Sequence, residues 1–178
     1  MKSALLFLSF FVLLASLKAE AQVYVEPSLG YFNGTYNFEQ NFQGDIEREA
    51  YTSSGVSYGG RLGFSWLGWQ LGPEYLRNNL LLDGDSVNIN EWTAILGYRL
   101  VFFRLYGGYI YKAEIQNSKY DPGTGYKFGL TFYMYRHLAL NLECRYVKYK
   151  TYDVPGFDLT YKNEYAGYAL MLSFPFEI

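Results

Sequence analysis

Cysteine and histidine each occur once in the 178 residues, as Cys144 and His137. A lone cysteine cannot close an intrachain disulfide, so no disulfide scaffold holds this chain together. One Cys and one His also fall short of a structural zinc ligand set. Charge is sparse too, at 18 % of residues against roughly a quarter in an ordinary soluble domain. The formal net charge is −2 and no basic run occurs, so the electrostatic footprint of a nucleic-acid binder is missing. What the chain has in quantity is 20 Tyr, 14 Phe and 18 Gly. That much apolar and aromatic side chain excludes a disordered polymer. With mean hydropathy near zero, the mixture suits strands with one apolar and one polar face, in a single domain.

The first residues read as a secretory signal peptide, 1–21. Lys2 supplies the positive start, Ala4 to Leu17 the apolar run, and Ala19-Glu20-Ala21 the small-x-small cleavage site. The run is shorter than the ~20 residues a spanning helix needs. No Cys follows the cleavage site, so no lipid anchor is expected. The mature domain is taken as 22–178.

From Gln22 onward the dominant pattern is period-two alternation. Leu138, Leu140, Leu142, Cys144 and Tyr146 share one face of a strand, and Ala139, Asn141, Glu143 and Arg145 share the other. Tyr126, Phe128, Leu130, Phe132 and Met134 oppose Lys127, Gly129, Thr131 and Tyr133. Tyr168, Leu170, Leu172, Phe174, Phe176 and Ile178 form an apolar face in the last segment. Five more stretches, beginning near Val23, Ser57, Trp69, Glu91 and Arg104, follow the same rule. Eight strands result. Their connections are expected to alternate, short at Leu67-Gly68, Val101 and Arg136, and long at Asn33–Ser54, Arg77–Asp85, Ala113–Thr124 and Lys148–Lys162. Short turns at one end and long loops at the other are the pattern of an outer-membrane barrel. The fold expected is therefore all-β, an eight-stranded antiparallel transmembrane barrel.

The charges decide which face points inward. Glu26, Glu74, Glu91 and Glu143 fall on the polar parity, with Arg61, Arg99, Arg104, Lys127 and Arg145. Eight strands leave an interior just wide enough for side chains to fill. The long apolar residues would overfill it, whereas acids and bases there would neutralise one another as buried charges must. An ion-pair network of these nine residues is expected to plug the lumen.

The segment Tyr165-Ala166-Gly167-Tyr168-Ala169-Leu170-Met171-Leu172 resembles the C-terminal β-signal of Gram-negative outer-membrane proteins, with Pro175 and a terminal Ile178 as departures. Ala94 to Leu100, followed by Arg104 to Tyr109, resembles the central hairpin of the small OmpX/Ail-type and OmpA membrane-domain barrels. Gly129 to Tyr146 resembles their sixth and seventh strands. The resemblance implies an integral outer-membrane location, lipid and lipopolysaccharide as surroundings, and the barrel-assembly machinery as the partner during insertion.

Function is expected to be non-enzymatic, structural or adhesion-like, through extracellular loops that contact a protein partner. Candidate contact residues are Tyr36, Phe38, Tyr152, Phe157 and Tyr161. No cofactor, metal or nucleic acid is expected, and the barrel is read as a monomer. Two alternatives remain: a lipid A-modifying enzyme and a narrow pore for small solutes. Against the enzyme, His137 falls in the turn between the sixth and seventh strands, at the rim away from the outer leaflet.

Overall fold

A computed structural model describes residues 21–42, 45–82, 84–116, 121–149, 152–153 and 159–178, with side chains described outside 151–160. The signal-peptide reading of 1–20, the side chain of Tyr152, and Phe157 lie outside the described residues. Eight long strands follow the eight stretches of alternation. They are β1 Gln22–Phe42, β2 Asp45–Trp66, β3 Trp69–Leu82, β4 Asp85–Leu100, β5 Phe103–Ile115, β6 Gly123–Tyr135, β7 Leu138–Lys148 and β9 Leu159–Ser173. Two-residue strands β8, Tyr152–Asp153, and β10, Phe176–Glu177, complete the sheet. Every long strand is antiparallel to its neighbour, and β9 pairs with β1 to close the ring. Closure removes the two outer edges that would otherwise present unpaired backbone groups along their whole length.

The ends of the chain are stitched in register. Ser28 opposes Ser173 and Val25 opposes Phe176, so β10 continues β9 along β1. Pro175 lacks an N–H, and pairing lapses there alone: Phe174 N donates to Pro27 O at 2.9 Å, and Ile178 and Val23 exchange bonds of 2.8 and 3.2 Å. Leu67-Gly68 turns β2 into β3 with φ of 50° and 83°. Positive φ at both central residues is the type I′ geometry that matches strand twist.

The stretches expected as long loops need correcting. β1 and β2 stay paired from Gln22↔Ser65 to Phe42↔Asp45, so 33–42 and 45–54 are paired strand. β3 and β4 stay paired to Leu82↔Asp85, which turns 77–82 into strand as well. β5 runs to Ile115 and β6 resumes at Gly123. Past the apolar belt the outward positions turn polar, as at Asn37, Glu39, Arg77 and Asn79, and so these stretches look like loop when only an outward apolar face is followed.

The barrel is apolar outside. Leu29, Leu62, Phe64, Leu71, Leu96, Leu105, Phe128, Leu142 and Leu170 are all exposed on its outer surface. Two bands of aromatic residues bracket this belt. Trp66, Trp69 and Tyr98 lie at the short-turn end, with Trp69 and Tyr98 rings 4.9 Å apart. Tyr75 and Trp92 (4.8 Å) and Tyr109 and Tyr126 (5.4 Å) lie at the other. In β2 the stretch 58–66 spans the bands, about the 9–11 residues a membrane strand needs.

Inward positions alternate with the belt, and one close approach sets their packing. Tyr106 opposes Gly129 across β5 and β6. Its ring occupies the space where a Cβ of residue 129 would stand. From there Tyr106 Oη donates to Glu143 at 2.5 Å. Gly129→Val is therefore expected to destabilise the refolded barrel by about 1–3 kcal/mol, as overpacking does. Urea unfolding of both proteins in lipid vesicles measures this; an unchanged midpoint would show that the Tyr106 ring has another place to go.

Candidate functional site: an ionic layer beneath an apolar cup

Alternation sends Glu26 and Arg61 inward from β1 and β2, Glu74 and Glu91 from β3 and β4, and Arg104 and Lys127 from β5 and β6. Glu143 and Arg145 follow from β7. All eight are at most 5 % exposed. They make a connected ionic layer of four carboxylates and four cations. Arg61 donates to Glu74 at 2.6 Å and to Glu143 at 2.5 Å. Lys127 pairs with Glu74 and lies 3.0 Å from Glu91. Arg145 bonds Glu91 at 3.2 Å and Glu143 at 2.9 Å. These contacts close a ring, Arg61–Glu74–Lys127–Glu91–Arg145–Glu143, across the lumen.

Glu26 extends the ring toward the short-turn end. Arg104 grips it with two nitrogens, at 2.7 and 2.8 Å. Arg61 reaches it at 3.5 Å, and Ser173 Oγ donates at 2.7 Å. Gln70, Thr131 and Asn141 accept the remaining donors of Arg104. The Arg61 guanidinium also lies 4.2 Å from the centre of the Tyr106 ring. Each carboxylate thus meets at least two cations, the arrangement in which buried charge is tolerated.

Arg99 departs from the expectation. It does not join this layer or meet Glu26, Glu74, Glu91 or Glu143. It pairs with Glu177 at 2.8 Å, with both side chains about one-third exposed, and lies 4.3 Å from the Tyr133 ring centre. The register of β10 on β1 brings Glu177 to the short-turn rim, and Arg99 stands at that same rim. His137 is there too. Its Nδ1 donates to Pro175 O at 3.0 Å and its ring stacks on Phe176 at 5.2 Å, so it clamps the end of the chain.

The interior changes character on the other side of the layer. Phe32, Leu76, Leu80, Ile89, Ile110, Tyr149 and Tyr165 are buried together. Above them Tyr36, Phe38, Ser53, Leu80, Leu82, Val87, Ile89, Ile115, Asn163 and Tyr165 line a cavity of about 220 Å³. This corrects the expectation of outward contact aromatics. Tyr36 and Phe38 face the cavity, and the Phe38 ring packs on Tyr161 at 5.4 Å. They share the inward parity of Tyr24 and Glu26 because β1 runs unbroken to Phe42. The apolar layer had a signal of its own: in β3, Leu76, Leu80 and Leu82 lie on the same parity as Glu74, and in β4, Val87 and Ile89 lie on that of Glu91.

Beyond the belt the β1–β2 arm has a charged outer face. Glu39 accepts from Lys162 and from Arg48, each at 2.9 Å. The Lys162 hydrogen bond, then that of Arg48, holds the Glu39 carboxyl below its usual range. A lowered folded-state value means that this tie is present above the ordinary carboxylate pKa and is lost as pH falls through the lowered one. On β2, residues 45–52 pair with β1 only, since β3 joins at Ser53↔Leu82. Among the described residues their other edge has no strand partner.

The class defined by this geometry is an eight-stranded antiparallel barrel with an apolar exterior and a filled interior. No protein-family model matches the chain, and no curated protein matches it. Solved structures similar to it include a chain from the de novo design of transmembrane β-barrels, at TM-score 0.49 and 12 % identity, covering 84 % of this chain and 95 % of that one. Neisserial surface protein A is similar at TM-score 0.46 and 12 % identity, covering 87 % and 98 %. Ail, the attachment invasion locus protein of Yersinia pestis, is similar at 0.47 and 13 %, covering 86 % and 98 %. Identities this low transfer no residue's role, so function is read from the residues of this chain.

The ionic ring makes a direct prediction. Arg61→Met leaves four buried carboxylates facing three cations, and losing one partner of a buried pair typically costs about 3–5 kcal/mol. Adding Glu74→Gln should recover part of that loss, because the layer is then three against three. Urea titrations in lipid vesicles compare the two; a double variant no more stable than Arg61→Met would show that the two groups are not coupled.

Proposed function

We propose that this chain is an integral barrel of a Gram-negative outer membrane, exported behind its signal peptide, monomeric and non-enzymatic, that acts by contacting a partner at its far end. The single observation that carries this reading is the inverted surface: a continuous apolar belt outside and eight buried charges inside. A soluble protein rarely exposes apolar patches beyond a few hundred Å². In lipid the same belt is satisfied, and the closed ring pairs the backbone that lipid cannot hydrate. Trp66, Trp69, Tyr75 and Trp92 sit where interfacial aromatic girdles stand.

The adhesion-type role is supported by the outer edge of β2. Along residues 45–50 that edge has no strand partner among the described residues, and Phe42 and Ile46 are exposed at the arm's tip. Such an edge can take up an extended segment of another protein as an added strand. The acidic side chains Asp45, Glu47 and Glu49 along it disfavour a polyanionic partner. The pairing of His137 with Pro175 and Phe176 supports a structural role for that residue, and the ionic ring supports a plug in preference to a pore.

Two variants test the two halves of the proposal. Leu142→Arg should cost about 2–4 kcal/mol on folding into vesicles, as other arginines at the bilayer midplane do. Asn37→Arg, outward but above the belt, should change stability by no more than about 0.5 kcal/mol. Equal effects would contradict membrane insertion at this register. Replacing residues 40–47 with a tight Asn-Gly turn should leave a folded barrel that no longer binds immobilised extracellular protein when displayed on cells. Binding that survives the replacement would overturn the surface-contact role and leave the barrel reading intact.

A further inference from the structure

The cavity above the ionic layer is a cup with two different walls. From β3, β4 and β5 come Leu80, Val87, Ile89 and Ile115, all apolar. From β2 and β9, which flank β1 on either side, come Ser53, Asn163 and Tyr165. These three are 1, 2 and 0 % exposed, yet Ser53 Oγ, Asn163 Oδ1 and Tyr165 Oη have no hydrogen-bond partner among the described residues. Buried side-chain polar atoms are paired in the great majority of cases, so three unpaired ones around a single cavity call for an explanation. Among the described residues, no charged side chain lines the cup.

We propose that this cup binds a neutral amphiphile, a small apolar body carrying one hydroxyl. The hydroxyl would donate to Asn163 Oδ1 and accept from the Ser53 and Tyr165 hydroxyls, while the body packs against Leu80, Val87, Ile89 and Ile115. Charge is disfavoured because an ionised group there would have no counter-ion. Size follows from volume. A cavity of about 150 Å³ takes benzene, so about 220 Å³ accommodates on the order of ten non-hydrogen atoms. The site is blind. Phe32, Leu76 and Ile110 are packed beneath the cup and the ionic ring lies below them, so a ligand enters and leaves by the same mouth. Binding is thus distinct from conduction, and it stands whether or not the β2 edge meets a protein partner.

The test uses the mature barrel in phosphatidylcholine nanodiscs, with labelled Ile, Leu and Val methyl groups, and 4-propylphenol as the probe. Methyl resonances of Leu80, Val87, Ile89 and Ile115 should shift saturably. Those of the outward Leu62 and Leu142 should shift only in proportion to probe partitioned into lipid. Ser53→Ala and Tyr165→Phe should each weaken binding by about 3- to 10-fold, the range of one hydrogen bond. Propylbenzene, which lacks the hydroxyl, should be weakened at least as much. Val87→Phe should abolish the saturable shifts by filling the cup; if it fails to fold, Leu82→Phe serves the same purpose. Proportional, non-saturating shifts at the cup methyls would overturn the site. Saturable binding indifferent to the hydroxyl and to both polar substitutions would overturn the amphiphile and leave a merely apolar void.

Discussion

Eight charged side chains buried inside one barrel must neutralise one another, and the rest of this structure depends on how they do so. Four carboxylates and four cations lie in one connected layer, with each carboxylate beside at least two cations. Removing any member leaves the buried layer with one unbalanced charge. That constraint fixes strand register from within. A slip of one residue would send Glu143 outward and Leu142 inward, and each would then face the wrong medium. The outer belt and the inner ring are therefore one specification written on alternate residues of the same strands.

The inner ring also divides the barrel along its length. On the short-turn side the interior is polar down to Arg99, Glu177 and Tyr133 at the rim. On the other side it turns apolar, from Phe32 and Leu76 up to Tyr36 and Phe38. One end is thus tied to the chain terminus through His137 and Pro175, and the other is an open cup beneath a projecting arm. The proposed contact with other molecules is assigned to that second end. There the strands outlast the belt, and among the described residues the outer edge of β2 lacks a strand partner.

Parity was readable from sequence because one residue of every two had to satisfy each medium. Leu142 and Glu143 needed no structure to be assigned to opposite faces. What could not be read depended on where neighbouring strands stop. Arg99 shares the parity of Glu91, but its partner is Glu177, placed beside it only by the register of β10 on β1. Tyr36 and Phe38 looked like loop aromatics because β1 and β2 carry few apolar residues around them. The ladder continues through polar sequence, since a hairpin needs paired backbone and not an apolar face. In β5 a register shift between Ile110 and Ala113 changes which parity faces inward, so Ala113 is buried and Lys112 pairs with Glu114 near the surface. Simple alternation does not reveal such a bulge.

The central claim is that the ionic ring closes the lumen. Single-channel recording of the refolded mature barrel in a planar lipid bilayer tests it most directly. Eight charged side chains from seven of the strands pair across the lumen, so the account predicts a silent protein with no large steady conductance. A stable open level on the nanosiemens scale, present in every insertion, would contradict it.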